Sequence, residues 1–453
     1  YMLMFYTGKY MTVLNISNFS TMQKDNKGIY YILDNAGSIM PAVSNKTYTS
    51  LFCFSVKLKE DVDKNLLQVA LEKTIKRYPY FYCRLKKGLF WYYLEPLNNP
   101  PSIDDNIEPC CINYDINKPG KPLFRIRCFQ NIINAEFSHS LTDGFGGMEF
   151  LKTLLYEYFL LKGFIKDSLN TDKFLNRSSS SILNEEYEDS YKRYFSSSIP
   201  KPQPLPIAFH IPSRELPENK YRVIVGTLDL EKTLELARKK KLTLTEFLSS
   251  IYIYSLQKIY FNLSEKERKK MSVHIKCEIP INLRKFLPSI TLRNFSLFML
   301  AGVDCRMGEH SLDEIFELTH HQFQGDLRKK EHLKMLRRNV GSEYLFAVRM
   351  IPLFLKIFVL KISFYVLGEG LLSGFLSNFG SINLPDEFSN YIERFDFIPA
   401  PGKATKTNCS VISYKNCLSI CFGSRIYSRE LEKYFFQTLV ELGLEVCVKE
   451  NLI

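Results

Sequence analysis

The six residues His139-Ser140-Leu141-Thr142-Asp143-Gly144 gather an imidazole, a carboxylate and two hydroxyls into one short segment. Imidazole titrates near neutrality, so it can take a proton from an incoming nucleophile with little tuning. The segment follows an apolar run, 135–138, that reads as a strand end; Gly144, Gly146 and Gly147 lead out of it into a helical pattern. A loop between a strand and a helix N-terminus holds a base rigidly, while backbone N–H groups and the positive end of the helix dipole face an anionic group. The pattern therefore predicts a proton-transfer site at His139. A plainer reading is a histidine satisfied within a tight turn, with Asp143 only capping the helix; the strand-end position and the glycines argue against it. A Ser140-His139-Asp143 nucleophilic triad is disfavoured, because adjacent strand residues point to opposite faces. The hydroxyls of Ser138 and Thr142 are candidate donors to an oxyanion or substrate.

Alternating strands and helices must position that loop. In the first half, residues 48–58 read as a strand and 62–77 as an amphipathic helix with Leu66, Leu67, Ala70, Leu71 and Thr74 on one face. Residues 81–85 with 89–94, and 123–130 with 133–138, read as hairpins, and 145–161 as a helix. Between 166 and 206 the texture changes to serines and prolines, which predicts a linker or extended crossover. The expected division is a first lobe over 1–165, a crossover over 166–206 and a second lobe over 207–453.

In the second lobe, Thr243 with Glu246 forms a capping box, and Ser311 with Glu314 caps a further helix running towards Glu343. Residues 273–279 and 294–303 read as strands. Two more hairpins are expected, 375–382 with 394–398 and 410–413 with 418–422, before a final helix over 428–445. Both halves are thus α/β with mixed sheets flanked by helices.

Hydrophobic residues at 45% and charged residues at 24% are those of a folded chain, which excludes wholesale disorder, collagen-like repeats and coiled coil. The net charge of +12 favours anionic partners without choosing among them. No nucleic-acid module is recognisable, and a single Trp offers little base stacking, so nucleic acid is not an expected partner. Eleven Cys without a Cys-x-x-Cys pair fit reduced thiols and a cytoplasmic location. The apolar segment 1–11 lacks a basic region before it and a small-residue cleavage site after it, so no signal peptide is expected. The stretch 350–372 is almost wholly apolar, but Lys356 and Lys361 fall where a span should be uncharged. It reads as a helix packed on the protein, with peripheral membrane contact as an open option rather than a crossing.

On the segment His139–Gly144 in its strand-to-helix setting, the sequence resembles the chloramphenicol-acetyltransferase-like acyltransferases, which include condensation domains, plant acyltransferases, alcohol acetyltransferases and wax ester synthases. Pro280-Ile281-Asn282-Leu283-Arg284 looks like the second-lobe strand end where condensation-type members carry an arginine. Many members have a double histidine; here Ser138 precedes the single one, which makes the peptide-condensation subgroup less fitting. The resemblance implies two such lobes with the active site in a tunnel between them. It implies His139 as general base for direct attack of a hydroxyl or amine on acyl-coenzyme A, or on a carrier-bound thioester, without a covalent enzyme intermediate. Asp143, supported by Gly144, would hold the loop by pairing with Arg284, and no cofactor would be tightly bound.

Arg284, Lys285, Pro288, Ser289, Arg293 and Asn294 could line a channel for phosphates or form an ordinary loop. Asn378, in a strand-like run interrupted by Gly380, is a candidate contact for the thioester. The basic run 328–338 is a solvated helix face or an attractor for phosphates. His320-His321 imitates a double histidine, but lies inside a helical pattern and reads as surface. The remaining histidines show no metal-ligand spacing, and no metal is predicted. The alternative to an enzyme is a noncatalytic ligand- or membrane-surface-binding protein that keeps the fold; an intact His139 and Asp143 favours the enzyme.

Overall fold

Leu51–Leu58 and Ile132–Ser138 are rich in aromatic and β-branched residues and are buried almost throughout, which calls for covering on both faces. They pair antiparallel, Leu51 opposite Ser138, at the centre of a five-stranded sheet. Phe124–Phe129 adds a hairpin neighbour and Ile103–Asp105 a parallel edge. The computed structural model describes residues 22–25, 28–105, 109–166, 182–200, 203–326, 328–341 and 346–451. The segment 1–11, considered above as a leader, lies outside the described residues, as does the serine run 178–181.

The fifth strand, Ile392–Ile398, comes from the far end of the chain and pairs antiparallel with Leu51–Leu58. This corrects the hairpin expected between 375–382 and 394–398. Gly374–Ile382 instead runs parallel to both His274–Asn282 and Thr407–Tyr414. Neighbouring strands usually pair locally; here Phe397 stacks on Phe54 with ring centroids 4.8 Å apart, and the aromatic face of the first sheet captures the strand.

The second sheet has seven strands in the order Ser296–Asp304, His274–Asn282, Gly374–Ile382, Thr407–Tyr414, Cys417–Ser424, Arg222–Asp229 and Cys447–Asn451. Leu244–Asn262, buried along most of its length, packs on it, opened by the Thr243–Glu246 capping box. Ser311 and Glu314 likewise exchange bonds, Ser311 N to Glu314 Oε2 at 2.7 Å and Glu314 N to Ser311 Oγ at 3.3 Å. The helix they start, Leu312–Asp326, stops well short of 343, and Lys329–Gly341 is a separate helix. Gly325 weakens the run, and the Asp326 carboxylate accepts from Leu300 N of the adjacent strand at 3.4 Å.

The crossover is not a solvated linker where it is described. Glu186 is buried and receives a bidentate pair from Arg77, Nη1 at 2.9 Å and Nη2 at 2.6 Å, with Tyr80 Oη donating at 2.9 Å. Leu292 N donates to Glu186 O at 2.6 Å, so the same segment carries the loop between His274–Asn282 and Ser296–Asp304 against the first lobe.

Candidate functional site

The turn after Ile132–Ser138 is built by local hydrogen bonds. His139 N donates to Ser50 O at 3.1 Å, and Leu141 N and Thr142 N return to Ser138 O at 2.8 and 3.2 Å. Asp143 is the N-cap of Gly144–Leu161, its Oδ1 accepting from Gly146 N at 3.2 Å. Its other oxygen faces the second lobe, accepting from Arg284 Nη1 at 2.8 Å and Phe295 N at 2.9 Å. Both side chains of this ion pair are 7% exposed. The Arg284 guanidinium also donates to Thr291 O, through Nε at 2.9 Å and Nη2 at 2.7 Å, and to Arg293 O at 2.6 Å. One arginine thus ties the loop 283–295 to itself and to the turn carrying His139.

His139 is half-buried, its ring against Phe52 with centroids 4.7 Å apart. Nδ1 lies 3.4 Å from Asn294 Oδ1. The orientation of that amide follows from its other contacts. Asn294 Nδ2 donates to Asp34 Oδ1 and Oδ2 at 3.1 and 2.9 Å and to His139 O at 2.8 Å, all acceptors, so Oδ1 is the face left for the imidazole. Neutral His139 therefore carries its proton on Nδ1 and leaves the Nε2 lone pair uncommitted. Burial lowers the His139 pKa from its ordinary value, opposed by the Asn294 bond and the Asp143 charge.

Asp34 is fully buried and caps the helix Asn35–Val43, accepting from Gly37 N at 2.7 Å. Burial raises its pKa to about 6 against the pull of Arg293, whose Nε lies 3.9 Å away. Neither Asp34 nor the Asn294–His139 contact is foreseen from the sequence. The only local signal for Asp34 is a carboxylate directly before a helical run.

Two of the candidate substrate contacts, Ser138 and Thr142, are engaged inside the fold. Ser138 is fully buried, its Oγ 3.0 Å from Ser50 Oγ and accepting from Ser140 N at 3.1 Å, so it braces the turn. Thr142 is also fully buried and gives its hydroxyl to Leu292 O at 2.5 Å. Both hydroxyls are buried with partners inside the fold. Ser140 Oγ has no hydrogen-bond partner and Asp143 is engaged by Arg284, so no Ser140-His139-Asp143 triad is assembled.

Asn378 lies at a bulge in Gly374–Ile382, donating to Thr245 Oγ1 at 3.0 Å while its Oδ1 accepts from Gly380 N at 3.0 Å. The neighbouring Phe379 reaches the first lobe. A Cβ on Gly144 would sit 3.5 Å from its ring, which also packs edge-on to Phe54 at 5.2 Å. His320 pairs with Glu246 Oε1 at 3.0 Å and His321 is exposed, both on Leu312–Asp326. In the basic run, Arg337 and Arg338 lie over the rings of Phe195 and Phe298 at 5.4 and 5.5 Å, so part of that charge is packed on protein. Two surface recesses, about 250 Å³ beside Tyr82 and Tyr114 and about 500 Å³ beside Tyr48 and Arg425, do not include His139. Among the described residues no cluster of His, Cys, Asp and Glu could hold a metal.

A close approach of the two lobes runs through Gly146. A Cβ there would fall 2.1 Å from Leu292 O and 2.2 Å from Thr142 Oγ1. Gly146→Ala is therefore expected to push the loop 283–295 off the start of Gly144–Leu161 and to destabilise the fold by about 1–3 kcal/mol. An unchanged melting temperature would show that this approach is not tight.

With two α/β lobes joined at this turn, the chain has the fold seen in solved structures of condensation domains and of an acetyltransferase. Within it, residues 215–340 match the alcohol acetyltransferase family. The first condensation domain of the CDA synthetase superposes with a TM-score of 0.56 at 14% identity, covering 92% of this chain and 97% of that one. The starter condensation domain of rhizomide synthetase RzmA, in complex with C8-CoA and Leu-SNAC, gives 0.56 at 13% identity over 91% and 94% of the two chains. TRI3 trichothecene 15-O-acetyltransferase from Fusarium sporotrichioides gives 0.56 at 10% identity over 94% and 97%. No curated protein sequence matches the chain.

Proposed function

We propose that the protein transfers an acyl group from acyl-coenzyme A to a hydroxyl or amine acceptor, with His139 as the general base. The observation that carries this reading is the half-buried imidazole whose Nδ1 faces Asn294 and whose Nε2 is uncommitted, at the junction of the lobes. The alcohol acetyltransferase match and the acetyltransferase and CoA-bound neighbours support acyl transfer as the reaction class.

In this reading the acceptor O–H or N–H gives its proton to Nε2 as the oxygen or nitrogen bonds to the thioester carbonyl carbon. The tetrahedral oxyanion then collapses, the C–S bond breaks, and the departing thiolate takes the proton back from His139. The products are the ester or amide and free coenzyme A, with no acyl group passing through the protein. Asp143 and Arg284 touch neither substrate; they fix the turn that aims the imidazole. Such a base contributes about 10²–10⁴ in rate.

The test is release of free thiol from acetyl- and longer acyl-coenzyme A in the presence of a panel of alcohols and amines. Acceptor-dependent thiol release with matching ester or amide is expected. Absence of both across the panel would support a noncatalytic protein that keeps the fold.

A further inference from the structure

The helix Leu353–Leu367 lies on the outside of the first lobe, against Asn35–Val43, although it belongs by sequence to the second. Its inward side is fixed. Leu353 is buried, and Lys356, 2% exposed, donates to Phe90 O at 3.0 Å with its ammonium 3.3 Å from the centre of the Trp91 ring. One of the two lysines that argued against a membrane span is thus a fastener pointing into the protein.

The outward side is apolar. Phe354, Leu355, Phe358, Val359, Ile362 and Val366 recur at the spacing of a single helical stripe, and each is about half exposed or more, Phe354 at 72% and Phe358 at 68%. Leu89, 72% exposed at the tip of the hairpin Cys83–Lys87 with Tyr92–Pro96, adjoins the stripe, because its carbonyl accepts from Leu353 N at 2.8 Å. Monomeric proteins rarely leave so continuous an apolar surface without a use for it.

The charge around it selects the occupant. The helix carries no acidic residue; Lys361 on it, Lys87 beside Leu89, and Arg349 just before it are all exposed, and Lys403, also exposed, lies 4.6 Å from the Tyr365 ring. The chain as a whole is +12. A basic rim about an apolar, Phe-rich stripe complements a surface with anionic headgroups over acyl chains. A second copy of the chain would instead bring this rim against one of the same sign. Fifteen residues span about 22 Å, short of the roughly 30 Å hydrocarbon core, so the geometry suits lying in the interface. Among the described residues no helix is long and apolar enough to cross a membrane.

We propose that the exposed stripe of Leu353–Leu367, with Leu89 and the surrounding lysines, docks the protein on an anionic bilayer surface, the helix lying in the membrane plane. This is independent of the acyl-transfer reading. The full chain, wild type and F354D/F358D, is sedimented with vesicles of phosphatidylcholine alone or with phosphatidylserine. Wild type is expected to pellet with the anionic vesicles, less with the neutral ones, and less at raised salt. The double substitution is expected to cut vesicle affinity roughly tenfold or more, since two large apolar side chains lose their burial. V359D/I362D, on the same stripe, serves if the first variant melts early. Wild type remaining in solution with both vesicle types, or folded variants pelleting as well as wild type, overturns the proposal. So does a wild-type dimer in sedimentation velocity that either variant dissolves, which would give the face to a second copy.

Discussion

His139→Ala lowers the acceptor-dependent rate of thiol release by about 10²–10⁴, the contribution of a positioned general base, while acyl-coenzyme A binding changes little. The side chain makes a long hydrogen bond, 3.4 Å to Asn294, interacts with the Thr142 backbone and rests on Phe52, so its loss removes little that the fold depends on. A stability change of about 1 kcal/mol, the common size for point substitutions, is expected. Rate and melting temperature therefore part company in this variant. Equal rates in wild type and His139→Ala would remove the base from the reaction whatever the fold resembles.

Arg284→Ala has the opposite signature. The guanidinium holds Asp143 at 2.8 Å and satisfies Thr291 O and Arg293 O within 3 Å, in a region where both charged partners are 7% exposed. Removing it leaves a carboxylate with little water to replace the lost partner, a change that commonly costs about 3–5 kcal/mol. Activity falls with it, because the turn carrying His139 loses its tie to the loop 283–295. Arg284→Lys is expected to recover only part of the stability, since one ammonium cannot reproduce a planar fork serving several acceptors. A folded Arg284→Ala variant with an unchanged melting temperature would contradict this account of the ion pair.

The parts of this arrangement that were readable in the sequence are those encoded locally. The strand end at Ser138, the capping carboxylate at Asp143 and the glycines after it lie within ten residues of one another, and the capping boxes at Thr243 and Ser311 are complete within four. The hairpin of Thr407–Tyr414 with Cys417–Ser424 is likewise a local pairing. What the sequence does not carry is long-range choice. Ile392–Ile398 is as plausible beside Gly374–Ile382 as beside Leu51–Leu58 until the aromatic face holding Phe54 is known. Asp34 and Asn294 are 260 residues apart, and nothing in either neighbourhood marks them as partners. Ser138 and Thr142 carry no sequence mark of their partners, Ser50 and Leu292, which folding brings in. The packing of the crossover is hidden for a related reason, since a serine- and proline-rich composition gives no sign of Glu186, whose partner Arg77 lies 109 residues earlier.

The most direct test of the central assignment is the protonation state of the His139 ring, followed by ¹⁵N NMR of the imidazole through a pH titration, with His139→Ala identifying its signals. The arrangement requires the Nδ1–H tautomer, a bare Nε2 at neutral pH, and a protonation midpoint below the usual value of about 6.5, as burial dictates. A proton on Nε2 in the neutral ring, or a midpoint above that value, would contradict it.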